Sequence, residues 1–201
     1  MKGVAVTGLK GGTGKTALSH ALALGAAWKG VPAYLCHTDN REPLRVKGRP
    51  YAYYDARSPE TLATLAQEAL NGDGLFIVDG GGNRPAFDNW IASAMDMVLI
   101  PVSPDPEDVQ EGLRQAELMD KAGAGKIRFI INKYPGHKNE RMAVQRYLDP
   151  IPEEMILGKV NEAKAIRSLR ESDPEEGFQT PVTRVNNLSR SFYFLVNSEL
   201  A

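Results

Sequence analysis

A glycine-rich segment near the start of the chain has the residue types and the spacing of a phosphate-binding loop. The sequence reads KGGTGKT over residues 10–16, after a short apolar run and before an Ala/Leu-rich segment. Glycines permit backbone angles that let amide N–H groups point inward at phosphate oxygens, and the start of the next helix adds its positive dipole end. We therefore predict that Lys15 reaches the β- and γ-phosphates of a nucleotide and that the Thr16 hydroxyl ligates Mg²⁺.

A carboxylate at the end of a second apolar run completes this prediction. The run LFIV over residues 75–78 ends in Asp79, where a carboxylate would hold Mg²⁺ directly or through water. Three glycines begin the following segment, residues 80–84, and predict a loop that moves with the γ-phosphate as a switch does. A glycine-rich turn without such motion is the alternative.

The same glycines have a second interpretation as a dinucleotide-binding turn. Residues 12–17 also fit G-x-G-x-x-A, and Asp39 follows roughly as a ribose-binding acid would. The Lys15-Thr16 pair and the acidic end of the later strand favour phosphate with Mg²⁺.

These residues need a scaffold that brings strand ends together. Continuously apolar strands alternate with helices, which predicts an α/β fold with a doubly wound, mostly parallel sheet covered by helices on both faces. Such a sheet binds ligands at the carboxyl ends of its strands. The predicted strands span residues 4–6, 31–36, 75–79, 97–102, 127–131 and 155–157, and the predicted helices span 16–28, 59–70, 105–122 and 138–148. Residues 39–57 and 171–187 give no clear pattern.

Composition bounds the class of protein. A chain of 201 residues fits a single domain over 1–201. The net charge of −1 excludes a polycation or an acidic tail but not a local basic face. The single cysteine, Cys36, excludes a disulfide framework and a cysteine-built zinc or iron–sulfur site within one chain. With no membrane-length apolar run and no signal-peptide pattern at the N-terminus, we expect a cytoplasmic protein.

The phosphate loop departs from the common G-x-x-x-x-G-K-[ST] form in a specific way. Leu9 occupies the first glycine position, and a second lysine, Lys10, lies inside the loop. In this respect the segment resembles the deviant Walker A motif of the ParA/MinD family of ATPases, and the resemblance covers residues 2–132 well. It implies a P-loop NTPase fold in which Lys10 crosses a dimer interface to touch the phosphates of the partner's nucleotide. A cation delivered in trans would stabilise transition-state charge as an arginine finger does.

The resemblance also implies roles for other residues. Asp39 aligns with the second Asp of the family's D-x-D-P-Q motif, which orients or activates the attacking water, whereas His37 replaces the first Asp. Asn132 matches a strand-end residue that approaches adenine, with a strand-end cap as the alternative, and residues 159–163 loosely match another nucleotide-side loop. The implied catalytic residues are Lys10, Lys15 and Asp39, and the implied metal ligands are Thr16, Asp39 and Asp79. The implied ATP contacts are Gly11, Gly12, Thr13, Gly14, Lys15, Thr16, Ala17 and Asn132.

A basic stretch lies within the nearly neutral chain. Residues 121–148 contain seven Lys or Arg residues against one acid. ParA-type members bind DNA nonspecifically through scattered basic residues of the ATP-bound dimer, and dimerisation doubles the number of phosphate contacts. A solvated charged face is the alternative. The predicted DNA contacts are Lys138, Arg141, Arg146, Arg184 and Arg190.

The resemblance implies a small ParA-type ATPase, cytoplasmic and nucleoid-associated, that uses ATP and Mg²⁺. It would form a homodimer with ATP, bind nonspecific DNA, and release it after weak hydrolysis stimulated by a small centromere-binding or cargo-adaptor protein. Its task would be to partition DNA or position a protein cargo. A MinD-like membrane switch is an alternative, although residues 188–201 lack a cationic face, which makes a packed helix and no membrane partner the expectation. A metabolic ligase of the dethiobiotin-synthetase kind is another.

Overall fold

A computed structural model describes residues 1–44, 47–81, 85–170 and 177–201. The strands in these ranges are β1 (Lys2–Val6), β2 (Ala33–His37), β3 (Ala52–Asp55), β4 (Leu75–Asp79), β5 (Met97–Val102), β6 (Ile127–Tyr134) and β7 (Ile156–Asn161). The α-helices are α1 (Lys15–Ala27), α2 (Pro59–Leu70), α3 (Pro85–Ala94), α4 (Pro106–Lys121), α5 (Lys138–Leu148) and α6 (Thr183–Leu200). Short 3₁₀ helices span Glu153–Met155 and Lys164–Arg170.

The seven described strands form one sheet in the order β3-β2-β4-β1-β5-β6-β7, and all pairings are parallel. The carboxyl ends of all seven strands therefore lie at the same end of the sheet. Strand β1, which precedes the phosphate loop, lies centrally between β4 and β5. The predicted α/β fold with a parallel sheet is thus confirmed, and the sheet places the loop after β1 beside the end of β4.

Two apolar layers cover the sheet because side chains alternate along each strand. Val4 and Val6 face a cluster that contains residues of α1 and α6, whereas Ala5 faces a cluster that contains residues of α2, α3, α4 and α5. Strands β4 and β5 are buried along their whole length, which explains their continuous apolar sequence. Helices α1 and α6 therefore lie on one face of the sheet and the other four on the opposite face.

Local sequence signals set the starts of two helices on the second face. Ser58 accepts a hydrogen bond from the Thr61 amide at the start of α2, and Asp105 accepts from the amides of Glu107 and Asp108 at the start of α4. In both helices a proline follows the capping residue, where its missing N–H costs nothing. Both helix starts agree with the sequence prediction.

Three elements differ from the sequence prediction. Strand β3 lies within residues 39–57, which gave no pattern, because it is a short, partly exposed edge strand without an apolar run. Helix α3 was not predicted either. The last strand begins at Ile156 and extends to Asn161, so the predicted 155–157 segment captured only its start. Strand β7 is the edge strand opposite β3, and most residues near its C-terminal end are polar and exposed. The sequence there therefore has no apolar run.

Helix α6 packs against α1. The apolar spacing near the end of the chain predicted a packed helix but not its neighbour. Phe192 and Val196 are buried in the cluster that contains α1. At Gly25 the two helices approach so closely that an added Cβ would overlap the carbonyl oxygen of Ser189 and the Cβ of Tyr193. The absence of a side chain at Gly25 therefore sets the distance between the two helices.

We predict that Gly25→Ala lowers the free energy of unfolding by about 1–3 kcal/mol, because a backbone carbonyl cannot yield as a flexible side chain can. Urea denaturation measures this change. Gly125→Ala is the matched control, since an added Cβ there meets nothing within 4 Å. Equal stability of the Gly25 and Gly125 variants would contradict the close-packing assignment.

Candidate functional site

The phosphate loop joins β1 to α1 and depends on glycine at two positions. Gly12 and Gly14 have φ angles of +83° and +99°, which side chains other than glycine rarely adopt. Gly14 is also the residue that caps α1, and its carbonyl accepts the first helical hydrogen bond, from Leu18. The N-terminus of α1 therefore faces the end of the sheet where a phosphate would bind.

Three side chains, one from the start of α1 and two from the end of β6, bind carbonyl groups of this loop. Lys15 Nζ donates to the Lys10 carbonyl at 2.7 Å. Asn132 Nδ2 donates to the Thr13 carbonyl at 2.8 Å, and Lys133 Nζ donates to the Gly12 carbonyl at 2.8 Å. An added Cβ at Gly14 would overlap the amide of Asn132, so the end of β6 also packs directly on the loop.

Burial lowers the pKa of Lys15, against the attraction of Asp79 and Asp39, which raises it. A lysine that has left part of its hydration binds a phosphate with less further desolvation.

Asp79 ends β4 as a buried carboxylate with one free oxygen. Its Oδ1 accepts a hydrogen bond from Ser19 Oγ at 3.2 Å, whereas its Oδ2 has no hydrogen-bond partner among the described residues. A buried carboxylate oxygen without a donor fits a cation ligand. Thr16 lines the adjoining cleft, so Asp79 and Thr16 fit the predicted Mg²⁺ site. Within the described ranges, no group of three or more His, Cys, Asp or Glu side chains is arranged to hold a metal ion.

His37 lies beside Asp79 at the end of β2. Its Nδ1 is 3.7 Å from Asp79 Oδ2, which is too long for a hydrogen bond but close enough for attraction between charges. Its Nε2 is 2.9 Å from the Arg41 carbonyl. Burial lowers the pKa of His37, but Asp79 and the Arg41 carbonyl outweigh burial, so its pKa is raised overall.

Asp39 and Arg41 form an ion pair at the mouth of the site. Arg41 Nη2 donates to Asp39 Oδ2 at 2.7 Å, and the Arg41 amide donates to Asp39 Oδ1 at 3.1 Å. This guanidinium lowers the pKa of Asp39 to about 2. Asp39 is therefore ionised at neutral pH and is suited to orienting a water molecule rather than to accepting its proton. Arg41 was not among the predicted site residues.

Lys10 lies at the rim of the loop and is paired within its own chain. Its Nζ is 2.8 Å from Glu107 Oε2 and 2.6 Å from Asp108 Oδ1, both in the first turn of α4. The hydrogen bonds that Lys10 donates to Asp108 and, second in size, to Glu107 raise the pKa of Lys10. No sequence signal predicts this pairing, because the two acids are about a hundred positions away and are equally typical of a helix start.

A cleft of about 580 Å³ adjoins the phosphate loop. Most of the loop, Asp39, Arg41, Asn132 and most of the segment 160–167 line it, so the structure brings these predicted residues together. Lys10, Thr13 and Asp79 are not among the residues that line this cleft. The described switch residues lie nearby, since a Cβ at Gly81 would lie 3.0 Å from the Asp39 Cα. Gly82, Asn83 and Arg84 of the predicted switch lie outside the described residues.

A row of cations on the second 3₁₀ helix also lines the cleft. Lys164, Arg167 and Arg170 are spaced by three residues, and a 3₁₀ helix has three residues per turn, so they share one face. Leu169, on another face, is fully buried in the core. The three-residue spacing of these cations is the sequence signal for this side of the cleft. The spacing indicates a shared face only once the segment is known to be a 3₁₀ helix.

The predicted basic face is divided by the fold. Lys126 and Arg128 both contact Glu199 of α6, and Lys133 binds the phosphate loop. Of the predicted DNA contacts, Lys138, Arg141 and Arg146 lie on α5, whereas Arg184 and Arg190 lie on α6, across the sheet. The five therefore do not form one patch on a single chain. In the described ranges, no helix has both the length and the apolar character needed to cross a bilayer.

We predict that His37 makes stability depend on pH. Because its folded pKa is raised above the ordinary 6.5, its contribution is present below that value and is lost as the pH rises through the folded pKa. The stability difference between wild type and His37→Gln should therefore be larger at about pH 5.5 than at about pH 8.5, as measured by urea unfolding. Both proteins retain His20, whose pKa is lowered chiefly by burial, and this cause is the same in both. A difference that is constant, or larger at the higher pH, would refute the pairing with Asp79.

Known proteins share this architecture but little of the sequence. No protein-family model matches the chain, and no curated protein matches it. The MinC:MinD cell division protein complex of Aquifex aeolicus matches with a TM-score of 0.74 and 16% identity, over 98% of this chain and 96% of that chain. A putative plasmid partition protein from Borrelia burgdorferi, bound to AMPPNP, matches with a TM-score of 0.72 and 12% identity over 98% and 99%. An McdA–ATP complex from Cyanothece matches with a TM-score of 0.68 and 17% identity over 99% and 96%. The chain therefore has the fold of the MinD, McdA and plasmid partition proteins, as the resemblance of its phosphate loop to the ParA/MinD family predicted.

Proposed function

We propose that this protein is a small ParA-type ATPase that binds ATP and Mg²⁺ in the cleft, pairs with a second copy in that state, and binds DNA nonspecifically until hydrolysis releases it. The observation that carries the proposal is the placement of two lysines on one phosphate loop. The Lys15 ammonium donates to a carbonyl group of the loop, whereas Lys10 lies at the rim of the loop in an ion pair with the exposed Glu107. A lysine at the rim is positioned to contact a nucleotide bound to a neighbouring chain.

The nucleotide is proposed from the cleft and from the proteins that share the fold. A plasmid partition protein from Borrelia burgdorferi is bound to AMPPNP, an McdA from Cyanothece is in complex with ATP, and a MinD from Pyrococcus horikoshii is in complex with Mg-ADP. The loop amides and Lys15 would bind the phosphates, and Asp79 with Thr16 would hold Mg²⁺, which neutralises phosphate charge. Asn132 lines the same cleft and stays the predicted adenine contact.

Hydrolysis would use the ionised Asp39 to orient water toward the γ-phosphate. The water oxygen forms a bond to the γ-phosphorus while the bond to the β–γ bridging oxygen breaks, leaving ADP and inorganic phosphate. Because the carboxylate of Asp39 accepts a proton weakly, we expect slow turnover by the protein alone and a need for a stimulating partner. The partner would be a small centromere-binding or cargo-adaptor protein, and the dimer would associate with the nucleoid in the cytoplasm.

We predict that Lys10→Ala abolishes dimerisation with AMPPNP and Mg²⁺ while nucleotide affinity stays within about threefold, because Lys15 and the loop amides remain. Sedimentation velocity with and without nucleotide measures the dimer, and calorimetric titration measures affinity. Lys121→Ala is the matched control, since Lys121 is an exposed lysine at the end of α4 with a weak ion pair. A dimer that persists in Lys10→Ala would exclude the proposed pairing across the cleft.

We predict that helix α5 carries the DNA contacts. Lys138 and Arg146 are exposed on this helix. Log affinity falls as log salt concentration rises, and reversing both charges should reduce the magnitude of this slope by about 2 per chain. Fluorescence anisotropy with a random-sequence duplex, AMPPNP and Mg²⁺ at several salt concentrations measures this slope. The matched control reverses Arg184 and Arg190, two exposed arginines on the opposite face. Loss of binding only in the control would move the DNA contacts to α6, and loss in neither would refute a basic contact face on these helices.

A further inference from the structure

Arg41 is a charged side chain of the cleft whose guanidinium pairs with Asp39. It lines the same cavity as Lys15, Thr16 and Asp39, and its side chain is 70% exposed. Its position follows Asp39 by two residues, where the resemblance led us to expect glutamine. Because the Arg41 guanidinium is exposed and lines the cleft, it is accessible to a ligand bound there.

The backbone of Arg41 is fixed although its side chain is exposed. Its amide donates to Asp39 Oδ1 at 3.1 Å, and its carbonyl is 2.9 Å from Nε2 of the buried His37. His37 is itself the last residue of β2. These contacts tie the base of the arginine to the sheet, so that only the side chain needs to move when a ligand arrives.

The guanidinium is held by a single carboxylate, which a phosphate can replace. It donates to Asp39 Oδ2 at 2.7 Å, and the Asp39 side chain is 20% exposed. A guanidinium has five N–H donors in a planar fork that matches phosphate geometry. A terminal phosphate next to Asp39 would therefore compete for this fork or share it. Lys10, in contrast, is bound to two carboxylates of its own chain.

We propose that Arg41 is a further catalytic residue, a cis-acting arginine whose guanidinium contacts the terminal phosphate of ATP and stabilises the charge of the transition state. This assignment rests on the proposed ATPase function. As the γ-phosphorus bonds to the water oxygen and the bridging bond breaks, negative charge spreads onto the oxygens that Arg41 reaches. The water's proton passes to the phosphate product or to solvent, and Arg41 stays protonated throughout. Asp39 is then freed to orient the water.

The chain contains a matched control for Arg41. Arg57 follows Asp55 by two residues at the end of the neighbouring strand β3, donates to both oxygens of that carboxylate, and binds one of them through its own amide. It thus repeats the local arrangement of Asp39 and Arg41 without lining the cleft, and it differs in donating also to Glu42. A loss of activity shared by Arg41→Ala and Arg57→Ala would reflect a disturbed loop and not a contact made in the cleft.

The test compares Arg41→Ala, Arg41→Lys and Arg57→Ala in the full chain with ATP and Mg²⁺. We expect Arg41→Ala to lower kcat by about 10³-fold, as loss of an arginine finger does, with Arg41→Lys in between and Arg57→Ala within about twofold of wild type. Affinity for AMPPNP should fall about tenfold in Arg41→Ala, while affinity for ADP, which lacks the terminal phosphate, stays within about twofold. Thermal unfolding confirms that each variant is folded.

A second comparison separates phosphate contact from simple neutralisation of Asp39. If Arg41 only shields that carboxylate, AMPPNP binds equally well to Asp39→Asn and to the double variant Asp39→Asn/Arg41→Ala. If Arg41 touches the phosphate, the double variant binds AMPPNP about tenfold more weakly. Equal affinities, or a kcat of Arg41→Ala within about twofold of wild type, would overturn the assignment and leave the ATPase function intact. Absence of ATP binding and hydrolysis in wild type would overturn both.

Discussion

The candidate site depends on the way in which the carbonyl groups of the phosphate loop are held. An amide N–H and the preceding carbonyl of one peptide unit point in opposite directions, so a loop that turns its amides toward a ligand must satisfy its carbonyls elsewhere. Lys15, Asn132 and Lys133 bind the carbonyls of residues 10, 13 and 12. Two of these side chains come from the end of β6, so the parallel pairing of β6 with β5 and of β5 with β1 supports the loop from a distance.

The charged groups at the rim of the site are paired within the chain. Lys10 is bound to Glu107 and Asp108, and Arg41 is bound to Asp39. The Arg41–Asp39 and Lys10–Glu107 pairs cost little to open because their members are partly exposed to water, whereas Asp108 is largely buried. Phosphate and Mg²⁺ would compete with these carboxylates for Arg41 and Lys10, which would couple the proposed nucleotide binding to the loop after β2 and the start of α4.

The near-zero net charge of the chain conceals a division of charge between the two faces of the sheet. Glu199 of α6 neutralises two cations of the basic stretch, Lys126 and Arg128, and thereby fastens the end of α6 near the start of β6. The exposed cations that remain are divided between α5 on one face and α6 on the other. If the chain binds DNA as proposed, each copy would contribute few phosphate contacts, and pairing of two copies would double their number.

The sequence by itself determined the parallel α/β fold, the phosphate loop after the first strand, and the buried carboxylate at the end of β4, because each is encoded in consecutive residues. Continuous apolar runs specify buried strands, and the glycine spacing with Lys15 and Thr16 specifies the loop. Only the tertiary structure decided which side chains meet across long separations: Lys10 with α4, Asn132 with Thr13, and His37 with Asp79. It also revealed the edge strand β3 and the cationic face of the 3₁₀ helix, since neither has a local apolar pattern and each gains its meaning from the elements beside it.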